Sequence, residues 1–123
     1  MKEVTIRVFN VIGGSLCSDT DDGEKVYKLV NKALQEKKKV VLSFKNIDLV
    51  TTAFLNVAVG QLYRDYEEAF IENHLKTTEL DEIDTERLKD VKDTAILFYK
   101  DPERLQRSID EVLEDDSWVR DME

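Results

Sequence analysis

The stretch that decides the fold is residues 40–63, which read VVLSFKNIDLVTTAFLNVAVGQLY. Its first part, residues 40–44, is a short and almost continuous apolar run that is rich in β-branched side chains. A run of this length and composition predicts a strand that is buried in the middle of a sheet. Residues 45–48 are mostly polar and predict a turn that ends the strand.

A long helix is predicted to follow the turn. In residues 53–59 every position except Asn56 is apolar, and apolar residues continue at helical spacing until the pattern ends near Asn73. Such a helix is deeply buried at its start and amphipathic later. Thr51 and Thr52 stand where it begins, and a side-chain hydroxyl there can accept from the unpaired N–H groups of the first turn.

Further strands and helices are predicted on both sides of this stretch. Upstream, the alternation of residues 4–8 predicts a strand with one apolar face, and the polar residues before Gly23 predict a loop. The helix after this loop is expected to begin near Glu24 and to be closed by the lysines at 37–39. Downstream, the patterns predict a strand at 75–80, a helix at 85–98 and a capped helix at 102–113. Residues 95–99 alone would also fit a strand.

This alternation of strands and helices predicts an α/β fold. We expect a small sandwich with a central mixed or parallel sheet of about three to five strands and helices packed against it. The length of 123 residues fits one domain, expected over residues 1–114 and followed by an acidic tail over 115–123.

The charge of the chain is uneven. The formal net charge of −9 divides into +2 for residues 1–40, −3 for 41–73 and −8 for 74–123. An acidic chain lacks the concentrated positive field that binding to a phosphate backbone requires, so no nucleic-acid partner is expected. Most of the acids lie on predicted helices with apolar stripes and are interpreted as solvated outer faces.

Several classes of site are excluded by composition. With one cysteine, Cys17, and one histidine, His74, there is no internal disulfide and no zinc site built on cysteines or on several histidines, and no metal or cofactor is expected. The acidic loop cannot be an EF-hand, because residues 18–29 lack carboxylates at the first, third and twelfth positions. Cys17 is expected to be an exposed but passive thiol, and His74 to cap a helix. No apolar run approaches the roughly 20 residues of a membrane span, so a cytoplasmic protein without a membrane partner is expected.

The order of features in residues 40–63 resembles the central motif of STAS domains, the fold of sulfate transporters and anti-sigma-factor antagonists. That motif is a hydrophobic strand, a small turn, an Asp-Ser-Ser-Gly-like loop and a buried helix. The chain is more similar to a divergent STAS-like family of unknown function, in which the loop reads Thr-x-Ser-Phe. Residues 51–54, Thr-Thr-Ala-Phe, fit three of these four places. Ala53 replaces the hydroxyl, and Thr51 stands where ordinary STAS loops carry the aspartate.

The resemblance implies a regulatory role. In STAS domains the hydroxyl after the aspartate is the phosphoacceptor, and by position this is Thr52. The implied function is a small cytoplasmic module, similar to an anti-sigma-factor antagonist, that binds a protein partner such as a kinase-like ATPase or an anti-sigma factor. Thr52 and Thr51 are then candidates for a phosphoacceptor or a helix cap, and Asp48, Asn56 and Gln61 are candidates for partner contacts. A helix cap alone is the simpler interpretation of the two threonines.

Two other functions stay open. A small enzyme or ligand-binding domain would place its site between the loops at 13–23 and 45–52, since ligands of α/β folds bind where parallel strands end. The sequence has no convincing pair of nucleophile and base, so we expect no catalytic residues. A structural domain would pair with a second copy, giving a homodimer through residues 105–118, which include Trp118.

Overall fold

The computed structural model describes residues 2–100. In chain order the elements are β1 (Glu3–Arg7), α1 (Val8–Ile12), β2 (Leu16–Cys17), α2 (Thr20–Gln35), β3 (Lys39–Ser43), β4 (Leu49–Val50), α3 (Thr52–Leu55), a π-helical segment (Asn56–Gly60), α4 (Leu62–Asp65), α5 (Glu68–His74), β5 (Leu75–Thr78) and α6 (Glu82–Lys100). The predicted α/β class, with a small parallel sheet and helices packed against it, is confirmed.

The main sheet has three parallel strands in the order β1–β3–β5. Alternating residues of these strands are buried, whereas the residues between them are mostly exposed. The buried set includes Ile6, Val40, Leu42 and Leu75. This period-two burial places the core between one face of the sheet and the helices that connect its strands. The central position of β3 agrees with the apolar run that predicted it.

The first predicted strand and helix differ from the structure at their ends. The alternation at 4–8 includes Val8, yet the chain turns into α1 there and leaves it at Gly13, whose φ is +74°. The helix α2 begins at Thr20 rather than near Glu24, because the Asp19 side chain accepts from the Asp21 N–H at 2.8 Å and caps the first turn.

The lysines at 37–39 do not close α2, which ends at Gln35. Lys37 has a φ of +60°, its N–H donates to the Leu34 carbonyl at 2.9 Å, and the Lys38 N–H donates to the Ala33 carbonyl at 3.0 Å. These two bonds form a Schellman motif, which reverses the chain so that Lys39 can open β3. The helix therefore ends through backbone geometry and not through a run of cations.

The long helix predicted to run to Asn73 is interrupted twice. In the π-helical segment the Gln61 N–H donates to the carbonyl of Asn56, five residues back, at 3.2 Å. At Tyr66 the backbone becomes extended, with φ −126° and ψ 147°, and ends α4 before α5 begins. The Tyr66 hydroxyl donates to Asn31 Oδ1 at 2.6 Å, so a tertiary contact holds the residue at which the helix breaks.

The predicted strand at 75–80 is confirmed as β5, and residues 95–99 belong to the helix α6. The predicted helix at 102–113, Trp118 and the predicted tail at 115–123 lie outside the described residues. The domain boundary at 114 accordingly stays a prediction.

Candidate functional site

A second, small sheet joins the loops that follow β1 and β3. It consists of β2 and β4, which pair in parallel with Leu16 beside Leu49 and Cys17 beside Val50. The Asp48 N–H donates to the Ser15 carbonyl at 2.8 Å, next to this pairing. The loops at 13–23 and 45–52 are therefore fixed side by side at the carboxyl ends of the main strands. A strand of two residues is too short to show an alternation of apolar and polar residues in the sequence, so this sheet was not predicted.

Thr51 fixes this small sheet to the helix that follows it. Its backbone N–H donates to the Cys17 carbonyl at 2.9 Å, and its hydroxyl donates to the same oxygen at 3.2 Å. The hydroxyl also accepts from the Phe54 N–H at 3.1 Å, which makes Thr51 the N-cap of α3. Both functions of the hydroxyl are thus occupied within the fold.

Thr52 is the first residue of α3, and its side chain is exposed. Within residues 2–100 its hydroxyl makes no hydrogen bond. Asn56 follows one turn later and is also exposed, so the two side chains lie on one face of the helical chain. Of the two candidate threonines, the structure places Thr51 in a capping role and leaves Thr52 facing solvent.

The remaining candidates, Asp48 and Gln61, lie in different surroundings. Asp48 is exposed beside β4, close to Thr51 along the chain. Gln61 is half-buried directly after the π-helical segment. Its Nε2 donates to Glu24 Oε1 at 2.8 Å and to the Val57 carbonyl at 2.9 Å. Thr52 and Asn56 therefore share one exposed helical face, Asp48 is exposed on the strand end that precedes them, and Gln61 joins its helix to α2.

The contact between α2 and the helical chain that begins at Thr52 is close because residue 23 is glycine. A Cβ atom there would lie 3.1 Å from both the Phe54 carbonyl oxygen and the Val57 Cβ. The absence of a side chain lets the first turn of α2 pack directly on the helix that begins at Thr52. The start of that helix is consequently held from two sides, by α2 and by the small sheet.

Two exposed leucines that sequence reasoning missed lie on the small sheet, and one of them, Leu49, is three residues before Thr52. Leu16 and Leu49 are 56% and 45% exposed, whereas their neighbours Cys17 and Val50 are buried. Because paired residues of parallel strands point to the same face, the leucines form one apolar pair on the outside of the small sheet. We call Leu16, Leu49, Asp48, Thr52 and Asn56 the loop surface.

The start of α6 borders the loop surface. Arg87 Nη1 donates to the Val50 carbonyl at 2.8 Å and to Asp84 Oδ1 at 2.7 Å. Ile83 lies one turn before Arg87 on the same face of α6 and is 71% exposed. Ile83 is therefore an exposed apolar side chain at the start of α6, and Arg87 is already hydrogen-bonded to both β4 and Asp84.

Cys17 is buried beneath the small sheet and not exposed as expected. Burial, followed by the negative charges of Asp22 and Asp84, raises the pKa of its thiol to about 12. The thiol is therefore protonated at neutral pH, which agrees with the expectation of a passive group. The error about its exposure came from the polar residues around it, which hid the pairing with β4.

Residues 2–100 also have clefts away from the loop surface. A cleft of about 300 Å³ lies between α5, β5 and α6, away from the loops at 13–23 and 45–52. Among residues 2–100, no group of three or more His, Cys, Asp and Glu side chains is placed to hold a metal ion. None of the helices in that range combines the length and apolar character that crossing a membrane requires.

His74 ends α5, and its ring stacks on Phe70 with centroids 4.0 Å apart. Its Nδ1 lies 2.8 Å from the Phe70 carbonyl oxygen. This contact with a carbonyl in the last turn agrees with the helix-capping role expected for His74.

Comparison with known families gives one match. Residues 22–85 match the family described as a STAS-like domain of unknown function (DUF4325). The matched range begins in α2 and ends in α6, so it contains β3, the small-sheet strand β4, and the helix with Thr52 at its start. Neither the comparison with curated proteins nor the comparison with solved structures gave a match.

Proposed function

The chain belongs to this family of STAS-like domains, and on that premise we propose that it is a small cytoplasmic regulatory module. It binds a protein partner through the loop surface. The observation that carries the proposal is the exposed pair of Leu16 and Leu49 beside the exposed hydroxyl of Thr52. Contiguous apolar side chains on the outside of a small domain are typical of protein-binding sites.

The apolar pair supplies a driving force for binding. About half of each leucine side chain is accessible, and covering that part contributes on the order of 1 kcal/mol for each residue. The small sheet and the cap at Thr51 hold both leucines in place before a partner arrives. Little conformational entropy is lost on binding, which favours a compact interface.

The charges around the pair favour a partner of complementary character. Asp19 and Asp48 are exposed on the two joined loops, Asp21 in the first turn of α2 and Glu82 at the start of α6. The matching partner surface has an apolar centre and a basic rim, because opposite charges at a rim steer association. The class of partner favoured by the STAS resemblance is a kinase-like ATPase or an anti-sigma factor.

Thr52 is the switch in this proposal. A phosphate on its hydroxyl would lie at the start of a helical segment, where the first-turn N–H groups and the helix dipole tolerate negative charge. It would also add nearly two negative charges beside an apolar pair that a partner must cover. The cost of removing those charges from water weakens binding, while the folded domain is retained.

The test is capture of partners from native lysate with the full chain, followed by binding measurements with the captured protein after purification. Thr52→Glu and Leu49→Ser are compared with Asn73→Glu and Leu97→Ser. The control pair introduces the same two residues, glutamate and serine, at exposed positions outside the loop surface. We expect both loop-surface variants to bind at least tenfold more weakly and both controls to bind like the wild type. A partner that binds Thr52→Glu as tightly as the wild type would refute the switch, and unchanged binding by Leu49→Ser would refute the surface.

A further inference from the structure

The strand β1 forms one edge of the main sheet, and within the described residues it pairs only with β3. The Lys39 N–H donates to the Lys2 carbonyl at 3.0 Å, which shows that the backbone groups of residue 2 point towards β3. Because these directions alternate along a strand, the N–H groups of Glu3, Thr5 and Arg7 and the C=O groups of Glu3 and Thr5 point to the free edge. The Arg7 C=O is not among them, because Arg7 is the N-cap of α1 and its carbonyl accepts the first intrahelical bond. Three donors and two acceptors are therefore aligned on the outside of the sheet.

The side chains of β1 are arranged symmetrically about Thr5. Glu3 and Arg7 stand at the two ends of the strand and are both exposed, and Val4 and Ile6 lie between them on the face towards the helices. Neither charged end has an ion-pair partner among residues 2–100. If the strand met a copy of itself in antiparallel orientation with Thr5 at the centre, each Glu3 would face an Arg7. Each Val4 would face an Ile6.

We propose that β1 pairs in this way with β1 of a second copy of the chain, so that two three-stranded sheets become one sheet of six strands. The backbone directions fit this pairing. In an antiparallel pair centred on Thr5, the residues that exchange hydrogen bonds are the central residue and those two positions away on either side. These are Glu3, Thr5 and Arg7; the N–H groups of all three and the C=O groups of Glu3 and Thr5 are free to bond across the seam, while the Arg7 C=O belongs to α1.

An uncovered apolar side chain lies beside the same edge. Leu29 belongs to the apolar stripe predicted for α2, yet it is 45% exposed, unlike Val26 and Val30 on the same stripe, which are fully buried. With Ile6 it lines two clefts along the edge, of about 180 Å³ and about 360 Å³. The proposed pairing brings the edges of both copies together, so Leu29 of each copy approaches the seam and loses contact with water.

The occupant of this edge is a second copy and not an unrelated peptide because the edge is complementary to itself. An unrelated strand would need its own basic and acidic ends in the matching order, whereas a two-fold axis supplies them automatically. The opposite edge of the sheet, β5, contains Lys76 and no acidic residue. Pairing β5 with itself therefore lacks the ion pairs that β1 offers.

The experiment is sedimentation velocity of the full chain over a range of concentrations, with circular dichroism to check folding. The wild type is expected to be a dimer at concentrations on the order of 100 µM. Thr5→Pro removes an outward N–H, which an edge strand tolerates, and is expected to be a folded monomer. Glu3→Arg and Arg7→Glu each create two like-charged pairs and raise the dissociation constant about tenfold. The double variant restores opposite charges and is expected to dimerise like the wild type.

The exchange of charges keeps the proposal testable even if Thr5→Pro does not fold. A wild-type monomer at these concentrations would overturn it. A dimer that Thr5→Pro leaves intact, or single charge variants that the double variant does not rescue, would show that another surface or another partner occupies the edge. Because β1 shares no residue with the loop surface, these outcomes do not depend on the partner binding proposed above.

Discussion

Thr51 donates twice to the carbonyl oxygen of Cys17, through its backbone N–H at 2.9 Å and through its hydroxyl at 3.2 Å. The same hydroxyl caps α3 by accepting from the Phe54 N–H. One side chain therefore couples the small sheet to the start of the helix. The neighbouring Thr52 has no such contact in the described structure, so the cap, for which both threonines were candidates, is Thr51.

The first prediction concerns these two threonines. Thr51→Ala removes an N-cap and a tertiary hydrogen bond, so we expect it to lower the free energy of unfolding by about 1–2 kcal/mol. Thr52→Ala removes an exposed hydroxyl and is expected to change it by less than about 0.5 kcal/mol. Urea unfolding measures both, and Thr51→Ser, which keeps the hydroxyl, should recover most of the loss. Equal effects at the two positions would contradict the assignment of the cap.

The second prediction concerns the pH dependence contributed by Cys17. Its pKa is raised from 9.0 to about 12 by burial and by the nearby carboxylates. The unfolded chain therefore releases this proton at a lower pH than the folded protein does. The associated stability is fully present below pH 9.0 and is lost as pH rises towards the folded pKa. The loss approaches about 1.4 kcal/mol per pH unit in that window.

The measurement compares urea unfolding of the wild type and of Cys17→Ala at several pH values from 8 upwards. The alanine variant lacks the thiol, so its stability should fall less steeply above pH 9.0, while the tyrosines titrate alike in both proteins. Labelling with a thiol reagent gives an independent check, since the native wild type should react only after unfolding. Parallel pH profiles, together with rapid labelling of the native protein, would mean that the thiol is accessible.

The fold could be predicted where a strand or helix is long enough to show its own hydrophobic pattern in the sequence. The run at 40–44 identifies a strand because it is short, almost continuously apolar and rich in β-branched residues. The stretch at 75–80 alternates only weakly, and β5 ends at Thr78. The small sheet could not be predicted in this way. Leu16 and Leu49 are far apart in sequence, and each occupies a two-residue strand that exists only because the other is beside it.

The candidate site was predicted in part for the same reason. Thr51 and Thr52 could be located because they precede a nearly all-apolar helix, but the local pattern does not decide which of them is the cap. The Phe54 N–H bonds to the Thr51 hydroxyl, and this hydroxyl also donates to the Cys17 carbonyl. The helix break at Tyr66 depends likewise on Asn31. Contacts between secondary-structure elements thus decide the helix caps and helix ends that the local sequence pattern does not determine.

The third prediction concerns two buried or partly buried tyrosines. The Tyr63 hydroxyl is buried without a hydrogen-bond partner among the described residues, and burial raises its pKa. Tyr63→Phe removes the cost of desolvating this group, so we expect it to raise the free energy of unfolding by about 1 kcal/mol. Tyr66→Phe is the matched control, because that hydroxyl bonds to Asn31, and it should lower stability by about 1 kcal/mol. A loss of stability in both variants would show that the Tyr63 hydroxyl has a partner in the folded chain.

The last prediction concerns the end of α2. Lys37 adopts a left-handed backbone conformation with φ +60°, which costs a residue with a Cβ atom roughly 1 kcal/mol relative to glycine. The Schellman bonds of Lys37 and Lys38 use only backbone atoms, so Lys37→Gly keeps them and relieves the strain. We expect this variant to gain about 1 kcal/mol in the free energy of unfolding.

The control is Lys28→Gly, an identical substitution at an exposed position inside α2, where glycine should cost about 1 kcal/mol. Thermal or urea unfolding of the two variants should therefore give changes of opposite sign. The difference isolates the backbone, since both variants lose the same side chain and the same charge. Destabilisation by Lys37→Gly comparable to that by Lys28→Gly would mean that α2 continues past Gln35 in solution and that the chain does not reverse at this residue.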